Sequence, residues 1–385
     1  MSLLFLAHRV PFPPDRGDKI RSFHILQHLA ARTRVHLVAF ADDEADHDPP
    51  ESFTRMLASC TIVPRDKSRR RAAVEALVGG KPVSLTAFAN RRIAAAVAAV
   101  RERHPIAMTF VFSGQMAQYL GPDEPAIMDF VDMDSAKFAS YAEDSSGPMR
   151  WMMRREARLL GAFERDVAAR VSASLFVSDA EAALFRAGGA QGRVLAVENG
   201  IDSATCDPAA VSPEAIAGPL ILFTGQMDYR PNIDAVTWFA RDILPIVRRR
   251  HPARFAIVGR APTAAVQALA SDDVIVTGAV DDVRGWLAAA DVCVAPLKLA
   301  RGIQNKVLEA MAMARPVVAS APAAQGIEHA GTIRVADDAE GFAARICDLL
   351  DDPVAAAALG TAARAQVIAR YGWDARLAPL DALLP

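Results

Sequence analysis

Short runs of β-branched, aromatic and other apolar residues alternate along the chain with longer stretches rich in Ala, Leu and Arg. In the first half the runs fall at 3–8, 35–40, 60–64, 108–113, 126–131 and 175–178; in the second half they fall at 220–224, 255–258, 274–277, 292–296 and 316–320. Consecutive apolar positions, with no polar residue at every second place, are what strands covered on both faces require, and such strands belong to parallel sheets. Between the runs, 20–31, 93–103, 233–249 and 305–314 have apolar residues at helical spacing. Strand–helix alternation of this kind predicts βαβ units, and its occurrence in two series predicts an α/β chain with two doubly wound parallel sheets.

The two series are separated by 198–219, a stretch rich in Pro, Ala, Ser and Asp without a sustained period, which reads as a linker. The expected domains are therefore 1–197 and 198–373. The last segment, 355–384, is helical in pattern with an interruption at 371–373, and the tail 374–385 is expected to return to the first domain. Open α/β sheets bind ligands at the carboxyl ends of their strands, so two Rossmann-like domains facing across a cleft would hold a ligand there.

Composition narrows the class. A length of 385 residues suits two domains, and 52% apolar against 23% charged residues suffices for packed cores. Lys and Arg total 43 against 45 Asp and Glu, a net charge of −2, which argues against a nucleic-acid partner. The four cysteines, Cys60, Cys206, Cys293 and Cys347, form neither a CxxC nor a Cys/His cluster, so a reducing compartment is expected. The apolar run at the start lacks preceding basic residues and a cleavage site, and no run approaches the roughly 20 apolar residues of a membrane span. These features point to the cytoplasm.

The densest candidate chemistry lies at 292–320, VCVAPLKLARGIQNKVLEAMAMARPVVAS. A strand is followed by a loop with Lys298, Arg301 and Gly302, then by a helix starting near Asn305. A helix N-terminus offers unpaired N–H groups and partial positive charge, a site suited to a diphosphate. Lys306 in its first turn would add a cation, and Glu309, on the same face, would accept hydrogen bonds from a ribose diol.

EAMAMARPVVAS after a glycine-containing loop resembles the donor-site motif of GT-B glycosyltransferases of family 4, also called group 1. VENGID at 197–202, LILFTGQMDYRPNIDAV at 220–236, FAIVGR at 255–260 and VIVTGAVDDVRGWLAAADVCVAPL at 274–297 resemble further segments of that family. PFPPDRGDKIRSFHIL in the first half resembles the glycine loop that approaches the donor diphosphate. VDMDSAKFASYA and RGIQNKVLEAMAMARP are most similar to the transferases associated with exosortase and exopolysaccharide gene clusters.

The resemblance implies a retaining, metal-independent transfer of a sugar from a nucleotide-diphosphate donor, UDP- or GDP-linked, to a cell-surface polysaccharide or lipid-linked glycan, without a further cofactor. It implies donor contacts from Arg16, Gly17, Gly225, Gly302, Asn305, Lys306 and Glu309, and catalytic roles for Lys306, Arg230, Arg301 and Glu309. The acceptor-side candidates are His8, Lys19, Asp132 and Asp134. The chain departs from the family at Arg301, which stands where an earlier glutamate is usual, and at Gln226 and Pro231, which stand near a usual Arg and Lys. No obvious His–Asp pair is legible, so the leaving phosphate would take the acceptor proton. Arg69, Arg70 and Arg71 would contact anionic lipids at the inner face of the plasma membrane.

Three other readings compete. Asp132-Met133-Asp134 is a DxD of the kind that holds a divalent cation, but the second Rossmann-like half argues for a metal-free site. A dinucleotide fingerprint GxGxxG followed by an acidic residue about 20 positions on is absent from both halves. A nucleotide-sugar epimerase, or a degenerate protein that only binds sugar nucleotide or glycan, would use the same donor site.

Overall fold

The computed structural model describes residues 2–14, 17–42, 44–143, 145–202, 205–300 and 303–385. The chain forms two units, Met1–Asn199 with Arg376–Pro385, and Gly200–Ala375. The first contains β1 (Ser2–Ala7), β2 (Arg34–Ala41), β3 (Ser59–Pro64), β4 (Ile106–Phe112), β5 (Ala126–Val131), β6 (Ala173–Phe176) and β7 (Val194–Ala196). They pair in parallel in the order β3-β2-β1-β4-β5-β6-β7. The second contains β8 (Leu220–Thr224), β9 (Arg254–Val258), β10 (Val274–Gly278), β11 (Val292–Ala295), β12 (Val317–Ala319) and β13 (Arg334–Val335), again parallel, in the order β10-β9-β8-β11-β12-β13.

The central strands are buried on both faces: every residue of β1 and of β8 is buried. That burial, with helices on either side, is why the strands read as continuous apolar runs. In each sheet the strand order reverses once, between β1 and β4 and between β8 and β11. Two connections therefore leave in opposite directions at each of those points and open a crevice at the carboxyl ends of the strands.

Some elements escape the sequence pattern. β7 and β13 have three and two residues, too few to stand out as apolar runs. The longest helix, Gly147–Arg170, turns Glu156 and Glu164 inward beside Leu160 and Val167, so its buried stripe is partly acidic. The region 233–249 is not one uniform helix. It runs as a helix Arg230–Trp238, a π turn Phe239–Ile243 and a helical turn Leu244–Val247, the wider turn preceding Pro245, which has no N–H to donate.

Candidate active site

In the second unit the reversal point lies beyond Thr224 and Ala295. There the loop after β8 is pinned to the loop after β9: Gly225 N–H donates to Val258 O at 3.0 Å and Met227 N–H to Arg260 O at 2.9 Å. The two backbones touch, since a Cβ on Gly259 would lie 1.7 Å from the Gly225 carbonyl oxygen. A Cβ on Gly225 would meet Asn232 Nδ2 at 2.8 Å and Lys306 Nζ at 3.1 Å. Only glycine at 225 lets Lys306, from the start of the helix Asn305–Ala312, come down onto this loop.

Lys306 Nζ donates to Asn232 Oδ1 at 2.6 Å and stands 4.2 Å from the centroid of the Phe223 ring. Asn232 is buried, and its Nδ2 donates to Gln226 O at 2.9 Å, which holds the amide oxygen toward the lysine. Burial pushes the Lys306 ammonium down to about 8, against the pull of Glu309, and burial pushes the Glu309 carboxyl up, against the pull of Lys306. A partly desolvated cation at a helix start, next to close-packed backbone, gains from an anion placed there.

The other donor-side candidates are placed differently. Asn305 is exposed at the first position of its helix. Arg230 is 83% exposed and pairs with Asp234, one turn along its own helix, at 2.9 Å. The physical reason is local: an arginine and an aspartate four apart on a helix meet without help from any other element. Arg301 and Gly302, and Arg16 in the first unit, lie outside the described residues. Sequence reasoning missed Asn232 and Arg260. The Arg260 guanidinium donates to Gln226 Oε1 at 3.1 Å, bringing a cation to the β8 loop from its neighbour. FAIVGR carried the only hint, an arginine after the glycine that ends a strand.

In the first unit Gly17 opens the helix Gly17–Ala30, and a Cβ there would meet nothing within 4 Å. Asp18 beside it accepts from Arg9 at 2.5 Å and lies 3.2 Å from His8 Nε2. Partial burial would raise the Asp18 carboxyl, but the His8 hydrogen bond and the Arg9 charge reverse this and hold it far below the usual range. His8 and Asp18 thus form a His–Asp pair that their sequence separation hid. His8 also stacks on Phe112, ring centroids 5.8 Å apart. Lys19 is not available to an acceptor: it is buried and ion-paired with the buried Asp46 at 2.9 Å. An amphipathic helix brings it to the inner side, where a lysine needs a carboxylate partner.

Asp132 and Asp134 share a cavity of about 760 Å³ with His8. Asp134 accepts from Gln115 Nε2 at 3.2 Å, and burial pushes its carboxyl up. Asp129 is instead buried in a two-point pair with Arg21, which also donates to Val197 O at 2.7 Å and Asn199 Oδ1 at 3.0 Å. No group of three or more His, Cys, Asp or Glu side chains suited to a metal ion occurs among the described residues. Of the basic run, Arg71 is exposed and pairs with Glu75 at 2.8 Å. Among the described residues no helix is long and apolar enough to cross a membrane.

Residues 218–352 match the family model described as "Glycosyl transferases group 1". No curated protein matches the chain by sequence. Sucrose-phosphate synthase from Thermosynechococcus elongatus shares 17% identity over 100% of this chain and 98% of its own, with a TM-score of 0.57. Anabaena HepE in complex with UDP-glucose shares 15% identity over 100% of both chains, with a TM-score of 0.57. WaaG, a glycosyltransferase involved in lipopolysaccharide biosynthesis, shares 16% identity over 99% of both, with a TM-score of 0.57. Residues 218–352 are thus similar to the group 1 glycosyltransferases, and the whole chain has the α/β GT-B fold with its two parallel sheets.

Proposed function

We propose that the protein transfers a sugar, with retention at the anomeric carbon and without a metal ion, from a nucleoside-diphosphate sugar to a glycan or lipid-linked glycan of the cell surface. The observation that carries this reading is the Gly225–Asn232–Lys306 cluster at the start of the helix Asn305–Ala312, with Glu309 one turn on. The family match over 218–352 supports a nucleotide-sugar donor, and the UDP and UDP-glucose complexes of HepE favour uridine as the base.

In this reading the bond between the anomeric carbon and the diphosphate breaks, the acceptor oxygen bonds to that carbon, and the acceptor proton passes to the leaving phosphate. Lys306 and the helix N–H groups stabilise the charge that develops on the diphosphate, with Arg230 and Arg260 as further cations near the loop after β8. Glu309 accepts from the ribose hydroxyls. The reaction belongs to the cytoplasmic side, with exposed Arg70 and Arg71 available to anionic lipid at a membrane surface.

A thermal-shift panel of UDP, GDP, ADP, TDP and CMP with their sugar conjugates, each with Mg²⁺ and with EDTA, tests it. A ligand at 100 times its dissociation constant adds about 2.7 kcal/mol. Stabilisation by one nucleoside diphosphate irrespective of EDTA, lost in Lys306→Ala and reduced in Glu309→Ala, is the expected result. Transfer rate in Lys306→Ala should fall by about 10²–10³. Stabilisation that EDTA abolishes, or full activity in both variants, would overturn the assignment, and donor isomerisation without transfer would make the protein an epimerase.

A further inference from the structure

The helix Gly147–Arg170 carries six arginines against three acids, in a chain whose net charge is −2. Two of those acids are turned into the fold. Glu156 accepts from the Val83 and Ser84 N–H groups at 2.8 Å, and Glu164 accepts from Ser135 N–H at 3.1 Å. The third, Asp166, pairs with Arg170 at 3.2 Å. Arg155 donates to Ala76 O at 2.9 Å and Lys81 O at 3.0 Å, and Arg150 donates to Ser145 O at 2.8 Å. Arg154, Arg158 and Arg165 are left without a hydrogen bond or ion pair among the described residues.

Those three arginines line one groove, of about 530 Å³, between this helix and the helix Asp134–Glu143. They stand four and seven residues apart and so share a helix face, with Gly161 between the last two. A Cβ at 161 would lie 3.3 Å from Arg165 Nη1 and 3.4 Å from Ser135 Cβ. The Arg165 guanidinium therefore folds back over the glycine, beside the opposite wall of the groove. That wall is built of Ser135, Ala136, Ala139 and Ala142, side chains too short to fill the space. Glu143 is the only carboxylate lining the groove among the described residues. The groove is separate from the cavity that contains His8: the shorter helix turns Asp134, Lys137 and Phe138 to that cavity and Ala136 and Ala139 to the groove.

A guanidinium fork binds phosphate oxygens in pairs, keeps its charge, and sheds water more easily than an ammonium. A phosphate monoester brings close to two negative charges and three acceptor oxygens, enough for more than one arginine. We propose that this groove binds a phosphate monoester through Arg154, Arg158 and Arg165, at a site apart from both the Lys306 cluster and the His8 cavity. The ester is either a small soluble molecule or the headgroup of a lipid. The inference does not rest on the transferase reading.

Calorimetric titration of the full chain with glycerol 3-phosphate at fixed ionic strength tests it, alongside sedimentation with phosphatidylcholine vesicles that contain phosphatidic acid. Saturable binding of glycerol 3-phosphate is expected, weakened by about tenfold or more in Arg158→Gln. Arg154→Gln serves if that variant loses its near-ultraviolet circular dichroism. Arg170→Gln removes the same charge from the same helix outside the groove and should leave the affinity unchanged, as should Lys306→Ala. Vesicle binding lost together with glycerol 3-phosphate binding in Arg158→Gln identifies a lipid headgroup. Vesicle binding absent from the wild type, or kept in Arg158→Gln, identifies a soluble ester, and the site stands in either case. Failure of glycerol 3-phosphate to saturate, or an equal loss in Arg170→Gln, would overturn the proposal. So would loss in Lys306→Ala with Arg158→Gln unaffected, which would move the phosphate to the other unit.

Discussion

At the scale of single residues, Lys306 carries the most chemistry. Its ammonium is held at about 8 because burial on Phe223 and Asn232 disfavours the charge more than Glu309 restores it. A diphosphate must find the lysine protonated to pair with it. Affinity for UDP should therefore be insensitive to this group well below pH 8 and fall by up to about tenfold per pH unit above it. Titration of UDP from pH 7 to 9.5 measures this, and Lys306→Arg, always charged, should flatten the profile. A wild-type profile that stays level to pH 9.5 would place the diphosphate elsewhere. Asn232, a residue no motif singled out, sets the geometry by turning its amide oxygen to the lysine.

At the scale of elements, the helices Asp134–Glu143 and Gly147–Arg170 are joined by a buried acid. Glu164 accepts from Ser135 N–H at 3.1 Å and from Ser135 Oγ at 2.5 Å, at the start of the shorter helix. Burial pushes the Glu164 carboxyl up to about 7, although the Ser135 hydrogen bonds oppose it. Between the ordinary glutamate value of about 4.5 and about 7, the folded chain binds this proton more tightly than the unfolded chain. The contribution is full below that window and is lost as pH rises through it, by on the order of 3 kcal/mol. Glu164→Gln should flatten the urea stability profile between pH 4.5 and 7, and Glu164→Ala should cost about 1–3 kcal/mol by leaving Ser135 unpaired. An unchanged slope in the Gln variant would mean that water reaches the carboxylate.

At the scale of the whole molecule, the last ten residues belong to the unit that the chain begins with. Leu377, Leu380 and Leu383 are buried there, Asp381 meets His28 at 2.8 Å and Arg32 at 2.6 Å, and Arg376 meets Glu198 at 2.9 Å. The Arg32–Asp381 pair is exposed and adds little, so the leucines do most to hold the segment. Leu380→Ala should destabilise the first unit by about 2–5 kcal/mol in urea unfolding, with stabilisation by UDP retained, because Lys306 lies in the other unit. No loss of stability in that variant would mean that the tail is dispensable.

The residues by themselves determined the fold class. Strands buried on both faces must be apolar at successive positions, and helices must repeat every three or four, so β1, β5, β8 and β11 could be read from local order alone. The start of the helix at Asn305, with Lys306 and Glu309 on one face, was local in the same way. Only the tertiary structure decided which side chains meet. Lys19 is consumed by Asp46 and Asp129 by Arg21, while His8 gains Asp18 and Lys306 gains Asn232. Burial decides whether a charge must find a partner, and burial arises from the packing of segments far apart in the chain, which local periodicity does not encode.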